Sequence, residues 1–314
     1  MTRWTMCGHR LPERFEKIMD IMKKTIYAAV AVLMMSGCSG SLGTEGTPSL
    51  EMKFELEYPG ARTKVAASGF VKGDIAGLYM TENVDGEPPV LMPSGNAVNN
   101  ARLTFDGVEW HSRPIMWWDI DTKYDVYGYY PYASPSSVEE YRFSVKENQA
   151  APGTETELGG YEASDFLWAK ASGVSYPQKV KLQFSHRMSR IVINLVKGSD
   201  FDGDLPDDIV VRVHNVVTDA VIDLGTGVVV KDSRAAARSI TACRESVGRY
   251  AAIVVPQNMM HRQPLVEVIT SGASYLLDGR IDFKSGIGYT INVTLSSDPS
   301  KIQMKIGGEI SGWK

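Results

Sequence analysis

Cysteine is scarce in this sequence, with three in 314 residues at positions 7, 38 and 243. Histidine is nearly as sparse. Beyond residue 38 there are only His111, His186, His214 and His261, and none is paired at a metal-ligand spacing such as His-Glu-x-x-His. A Gly-x-Ser-x-Gly elbow is absent, which removes the usual mark of an α/β-hydrolase. No apolar run after the N-terminal region is long enough to cross a bilayer as a helix. Helical periodicity is weak throughout, and only Ser233–Val247, with its alanines, predicts a helix. These gaps point away from hydrolase, metalloenzyme and helical classes.

What is present begins near the N-terminus. Met22-Lys23-Lys24 precedes the apolar run Ile26–Met35, and Ser36-Gly37-Cys38 follows. A basic start, a short apolar stretch and small residues together mark a secretory signal. Met35-Ser36-Gly37-Cys38 resembles a lipobox, in which Cys38 is acylated and the chain is cut before it; Met35 stands where Leu is usual. Residues 1–37 are therefore expected to be removed as a signal peptide, with 1–21 an over-long start. Residues 38–49, rich in Gly, Ser and Thr, read as a flexible tether. Two or more acyl chains, at about 0.8 kcal/mol per buried methylene, would hold the protein on a membrane. With Cys7 removed and Cys38 acylated, Cys243 is left without a disulfide partner in the chain. The segment lost carries six of the 33 basic and three of the 37 acidic residues, so the remainder has a net charge of −7. That balance argues against nucleic acid as a partner.

From Leu50 the pattern changes to period two. In Leu50–Tyr58 every even position is apolar and every odd one charged, the signature of a strand with one face on a core. Further runs rich in Val, Ile and Tyr continue to the C-terminus, bounded by Gly, Pro, Asn or Asp: Ala76–Met80, Tyr124–Tyr130, Val180–Phe184, Arg190–Val196, Ile209–Val213, Val217–Leu224, Tyr250–Val255, Leu265–Ile269 and Tyr289–Leu295. The fold class is all-β, and the length implies two sandwiches. A turn at Ser175–Gln178 divides them into residues 50–177 and 178–314. The long loops Asn83–Asn100 and Ala133–Gly160 are where binding would be expected.

Candidate chemistry is thin. Gly225-Thr-Gly227 precedes a strand, not a helix, and reads as a hairpin turn. Cys243 reads as a small packed side chain. Asp200, Asp202 and Asp204 alternate as calcium ligands do, but Leu205 replaces the loop glycine and Val211 the distal Glu. A solvated acidic turn over Asp200–Asp208 fits better than a metal site. Trp110, Trp117, Trp118 and Trp168 supply either core area or a stacking surface for sugar.

Several segments together resemble the fimbrillin family of FimA/Mfa-like type V pilus subunits. They are Phe70–Tyr79, Tyr127–Tyr132, Ser164–Ala169, Leu182–Ile191, Val255–Gln257 and the terminal Ile310–Trp313. The resemblance implies two tandem transthyretin-like (Greek-key) β-sandwich domains without catalysis or cofactor. It also implies export as an outer-membrane lipoprotein, a cell-surface or fimbrial location, and polymerisation with other pilin subunits by donor-strand exchange after a maturation protease removes the first strand. Both chain ends suit that scheme. Pro59–Lys64 offers a trypsin-type cleavage point at Arg62, and Ile302, Met304, Ile306 and Ile310 share one period-two face with Gly308 in the gap. The alternatives are that both segments are ordinary edge strands, or that the chain is a monomeric surface lipoprotein binding glycan or another ligand through its long loops.

Acylation at Cys38 is directly testable. Cys38→Ala should abolish labelling by a fatty-acid probe and release the protein from the membrane fraction; a mutant that labels and fractionates like its parent would refute the anchor.

Overall fold

A computed structural model describes residues 49–60, 69–84, 90–270, 273–298 and 302–310. Cys38 and Arg62 lie outside these residues. Apart from one 3-10 turn at Glu162–Ser164, the regular structure is entirely β-strand, with no α-helix among the described residues.

The first sheet has eight strands. They are β1 (Phe54–Glu57), β2 (Ile75–Glu82), β3 (Val98–Phe105), β4 (Trp110–Arg113), β5 (Tyr124–Tyr130), β7 (Leu167–Val174), β8 (Val180–Gln183) and β9 (Ser185–His186), in the spatial order β8-β1-β4-β3-β2-β5-β7-β9. The strands at its two ends, β8 and β9, are separated in the chain only by Phe184, so the sheet curls round on itself. Met52, Phe54, Leu56, Leu78, Met80, Leu103, Trp118, Val126, Leu182 and Phe184 fill the interior it encloses. The turn at Ser175–Gln178 was expected to end the first domain. In fact the sheet continues past it, because β8 pairs with β1 over four residues and contributes Val180 and Leu182 to the same core. Beyond Phe184 the chain adds no residue to the first core, and Met188 begins its long run in the second.

β6 (Tyr141–Ser144), β12 (Asp219–Asp223) and β13 (Val228–Lys231) form a small sheet in the order β13-β12-β6. β6 lies within the segment expected to be a free binding loop. Instead Val138, Tyr141, Phe143 and Val145 are buried, and Gln149 both donates to Ile253 O (2.7 Å) and accepts from its N–H (2.7 Å). This loop builds core.

Two more sheets complete the molecule. One comprises β10 (Ser189–Lys197), β15 (Cys243–Ser246), β16 (Arg249–Val254), β19 (Gly288–Leu295) and β20 (Gln303–Ile310), ordered β15-β16-β10-β19-β20. The other comprises β11 (Val210–Val217), β14 (Ala237–Thr241), β17 (Gln257–Thr270) and β18 (Ala273–Phe283), ordered β14-β11-β17-β18. They share one core that includes Ile191, Ile193, Val211, Val213, Ile253, Leu265, Ile291 and Val293. The helix expected at Ser233–Val247 is a correction. Asp232 accepts a turn hydrogen bond from Ala235 N–H (3.1 Å), and the rest is β14 and β15. Pairing of β14 with β11 and burial of Ile240 and Ala242 override the weak preference of alanine.

The halves are not separate bodies. All seven residues of β5 are buried. Tyr124, Val126 and Tyr130 belong to the first core, while Tyr127 and Tyr129 belong to the second. On that second face, Phe166 packs against Tyr129 (ring centroids 6.3 Å apart), Tyr141 (6.1 Å) and Phe143 (5.3 Å). Gly77 pairs across the sheet with Tyr129, and a Cβ at position 77 would lie 2.1 Å from the tyrosine ring. The ring occupies the space that glycine leaves.

Because Phe166 is wholly buried at this joint, Phe166→Ala should cost about 3–5 kcal/mol. Urea unfolding followed by tryptophan fluorescence and by circular dichroism should move together in one transition. Two separated transitions would show that the halves unfold independently.

Candidate assembly interface

β1 owes its place to alternation. Met52, Phe54 and Leu56 point into the first core and are buried, while Lys53 and Glu57 are exposed. It runs parallel to β8, with Phe54 opposite Val180 and Glu57 opposite Gln183. Val180 N–H donates to Lys53 O (2.9 Å) and Phe184 N–H to Glu57 O (3.0 Å). On its other side β1 meets β4 at one pair only, Phe54 with Trp110. Beyond that pair the strands part, and a cleft of about 610 Å³ lies among Leu56, Tyr58, Phe70, Val108 and Trp110. β1 is thus an interior strand of its sheet, not an edge, held fully on one side and loosely on the other. Burying Met52, Phe54 and Leu56 contributes on the order of 5–9 kcal/mol, at about 1.5–3 kcal/mol per large apolar side chain.

Just past β1, Tyr58 closes a buried polar network. Its hydroxyl donates to Asp165 Oδ2 (3.0 Å), and Asp165 Oδ1 lies 2.8 Å from His186 Nδ1. Burial first, then the Asp165 charge, hold the Tyr58 phenol well above its ordinary pKa. Tyr58 also meets the rings of Phe70 and His186 edge-on. Nearby, Tyr130 hydroxyl donates to Asp74 Oδ1 (2.9 Å), and Asp74 Oδ2 accepts from Val71 N–H (2.7 Å). Trp168 Nε1 donates to Leu224 O (2.7 Å), with the Arg187 guanidinium over its ring. Four of the six segments on which the family resemblance rests contribute to these contacts. The Asp74–Tyr130 and Asp165–His186 pairs tie turns of the first sheet together, Trp168 ties it to Leu224 just past β12, and His186 is a structural hydrogen-bonding partner.

β20 lies at the opposite extreme of the chain and at the edge of its sheet, antiparallel to β19. Ile302, Met304 and Ile306 are half-buried against the second core, while Gln303 and Lys305 are exposed. Ile310 pairs with Gly288. In the chain itself β20 is an ordinary edge strand, and its outer backbone edge pairs with no described strand.

The other candidates fall away from this interface. The Asp200–Asp208 residues diverge: Asp200 accepts from Ser296 Oγ (2.6 Å), Asp207 pairs with Arg244 (3.4 Å), and Asp208 accepts from Thr270 Oγ1 (3.0 Å). No group of three or more metal-ligating side chains occurs among the described residues. Cys243 is half-buried, and burial, then Glu162 and Glu245, push its thiol pKa up, away from nucleophilic use. Trp110 and Trp118 are buried, whereas Trp117 is exposed.

One arrangement was invisible in the sequence. His214 Nδ1 lies 2.6 Å from Ser239 Oγ and its Nε2 2.8 Å from Glu267 Oε2. The order resembles an acyl-transfer triad. The three side chains, however, project from adjacent strands β14, β11 and β17, and the carboxylate also takes Ser274 Oγ. The Ser274 hydrogen bond lowers the Glu267 pKa against burial, with His214 and Arg212 adding to the effect. The trio is a polar ladder across a sheet.

Comparison with known proteins assigns the class. A fimbrillin-like family profile matches residues 63–313, and the chain belongs to that family of fimbrial, adhesive subunits, which are not enzymes. The search of curated proteins finds no relative of significant similarity. Among solved structures, a candidate cell-adhesion protein of Bacteroides ovatus aligns with a TM-score of 0.62 at 17% identity, over 83% of this chain and 96% of that one. A candidate cell-adhesion protein of Bacteroides uniformis gives 0.60 at 17%, over 82% and 96%. A fimbrial protein of Bacteroides vulgatus gives 0.51 at 14%, over 84% and 99%. These likenesses agree with tandem β-sandwiches.

Tyr58 tests the network. Tyr58→Phe keeps the ring contacts and removes the donor to Asp165, so it should lower the unfolding free energy by about 1–3 kcal/mol. A variant as stable as the parent in urea would mean that the bond contributes nothing.

Proposed function

We propose that this chain is a pilus subunit precursor, exported as an outer-membrane lipoprotein through Cys38 and polymerised by strand exchange. In this scheme a protease cuts after Arg62, and the anchor leaves together with β1. The loss of an interior strand uncovers the β8 edge, the β4 edge and an apolar slot, which only another strand can satisfy. Residues 302–310 of a neighbouring subunit then enter the slot vacated by Met52, Phe54 and Leu56.

The observation that carries the proposal is the contrast between the two strands. β1 is interior yet joined to β4 at a single residue pair. β20 is peripheral, with Ile302, Met304 and Ile306 in the same alternation. Exchange trades an edge contact in one subunit for an interior one in the next. The cost of removing β1 is comparable to the whole stability of an ordinary domain, about 5–15 kcal/mol, so a cut subunit is driven to refill the slot.

Limited proteolysis at Arg62 should yield polymers whose length grows with protein concentration. Deleting residues 301–314 should block them while leaving the first sheet folded, read by protection of its amides from hydrogen exchange. Polymers of normal length from that truncation, or from an Arg62→Ala variant that keeps its N-terminus, would eliminate the mechanism.

A further inference from the structure

The connection between β4 and β5 carries apolar side chains that neither core absorbs. Met116 and Trp118 turn inward and are buried. Ile115 is 57% exposed, Trp117 61% and Ile120 61%. Ile120 stands in a turn in which Thr122 N–H donates to Asp119 O (3.3 Å). Two exposed isoleucines and an exposed indole thus fall within six residues of one loop.

The same loop is stitched to the point where the chain enters the fold. Trp117 forms an antiparallel bridge with Glu51. Trp118 N–H donates to Leu50 O (2.7 Å) and Met52 N–H to Met116 O (2.9 Å). Between Cys38 and Leu50 lie only the eleven residues Ser39–Ser49. Eleven residues reach at most about 40 Å even when fully extended, at about 3.3–3.6 Å per residue. An acyl anchor on Cys38 would thus keep the loop within reach of the bilayer, where even a weak surface affinity is favoured over dilution into bulk water.

From this geometry we infer that Ile115, Trp117 and Ile120 form a membrane-docking edge. It seats the anchored precursor at the headgroup boundary of the bilayer that holds its own lipid. The inference rests on the Cys38 anchor of the preceding section. An indole suits that depth because its ring is apolar and its N–H reaches polar groups. A sugar platform would instead surround the ring with hydrogen-bonding side chains. Here Ile115 lies two residues away along the chain, and the Glu51 side chain across the bridge is engaged by Lys53 (3.0 Å). Cleavage after Arg62 would remove Leu50 and Met52, so the cut that frees the lipid would also free the loop.

The test uses the full-length lipidated protein in phosphatidylethanolamine–phosphatidylglycerol vesicles with brominated acyl chains, beside Trp117→Phe. The difference in emission between the two isolates Trp117. Expected is quenching of that signal by brominated lipid at least fivefold stronger than in Ile115→Ser/Ile120→Ser, with little quenching by aqueous iodide. Mass analysis of the N-terminal peptide reads the anchor separately. An unacylated Cys38 overturns anchor and docking together. An acylated protein whose Trp117 is quenched by iodide and not by bromine overturns docking alone. Protection from iodide by soluble oligosaccharide, or by raising protein concentration without vesicles, reassigns the loop to sugar or to a second copy and likewise overturns it.

Discussion

The structure depends on a strand, β5, that is buried on both faces. Ordinary antiparallel sheets keep one face wet and read as alternating sequence. β5, Tyr-Asp-Val-Tyr-Gly-Tyr-Tyr, cannot alternate in that sense, because both of its faces are covered. Tyrosine resolves the conflict by presenting a large apolar body and one polar atom that must find a partner. Tyr129 hydroxyl donates to Asn100 Oδ1 (2.6 Å), and Tyr130 hydroxyl to Asp74. Asp125 on the same strand is nearly inaccessible, and burial raises its pKa. Hydrogen bonds from Asn83 and Gly173 and the Lys170 ion pair outweigh that and hold it below the ordinary value. The depressed pKa means this contribution to stability is complete above the unfolded carboxyl value, near 4. It is lost as pH falls through the folded one.

Much of this was legible in the sequence. Within Leu50–Tyr58 the alternation marked Met52, Phe54 and Leu56 as buried, though Leu50 is exposed and Tyr58 half-buried, and the long Val- and Ile-rich runs fell where strands lie. What alternation cannot reveal is who the neighbours are. Nothing in Leu50–Tyr58 says that β8, more than a hundred residues on, lies beside it, or that β1 is interior. β6 was missed because Tyr141-Arg-Phe-Ser is four residues long in a polar stretch, and its strand character comes from pairing with β12. Ser233–Val247 misled in the opposite direction, since alanine favours helix only where no sheet competes.

The interface was half legible for the same reason. Its apolar residues carry a period, and a period survives in one dimension. The polar network does not. Tyr58 and Asp165 are 107 positions apart and Asp165 and His186 are 21 apart, and each alone is an unremarkable residue. Their meeting explains why the scattered segments around Asp74, Tyr130, Asp165 and His186 go together: they are joints of one sheet, and a change at one would leave a buried partner unsatisfied.

The Gly77–Tyr129 contact has a consequence for inheritance. The ring stands where any side chain at 77 would have to go, so neither position is free to drift alone. A larger residue at 77 requires a smaller one at 129, and a smaller residue at 129 leaves a void between the two cores until 77 fills it. The two codons are therefore constrained as a single character, transmitted or lost together as the lineage diverges.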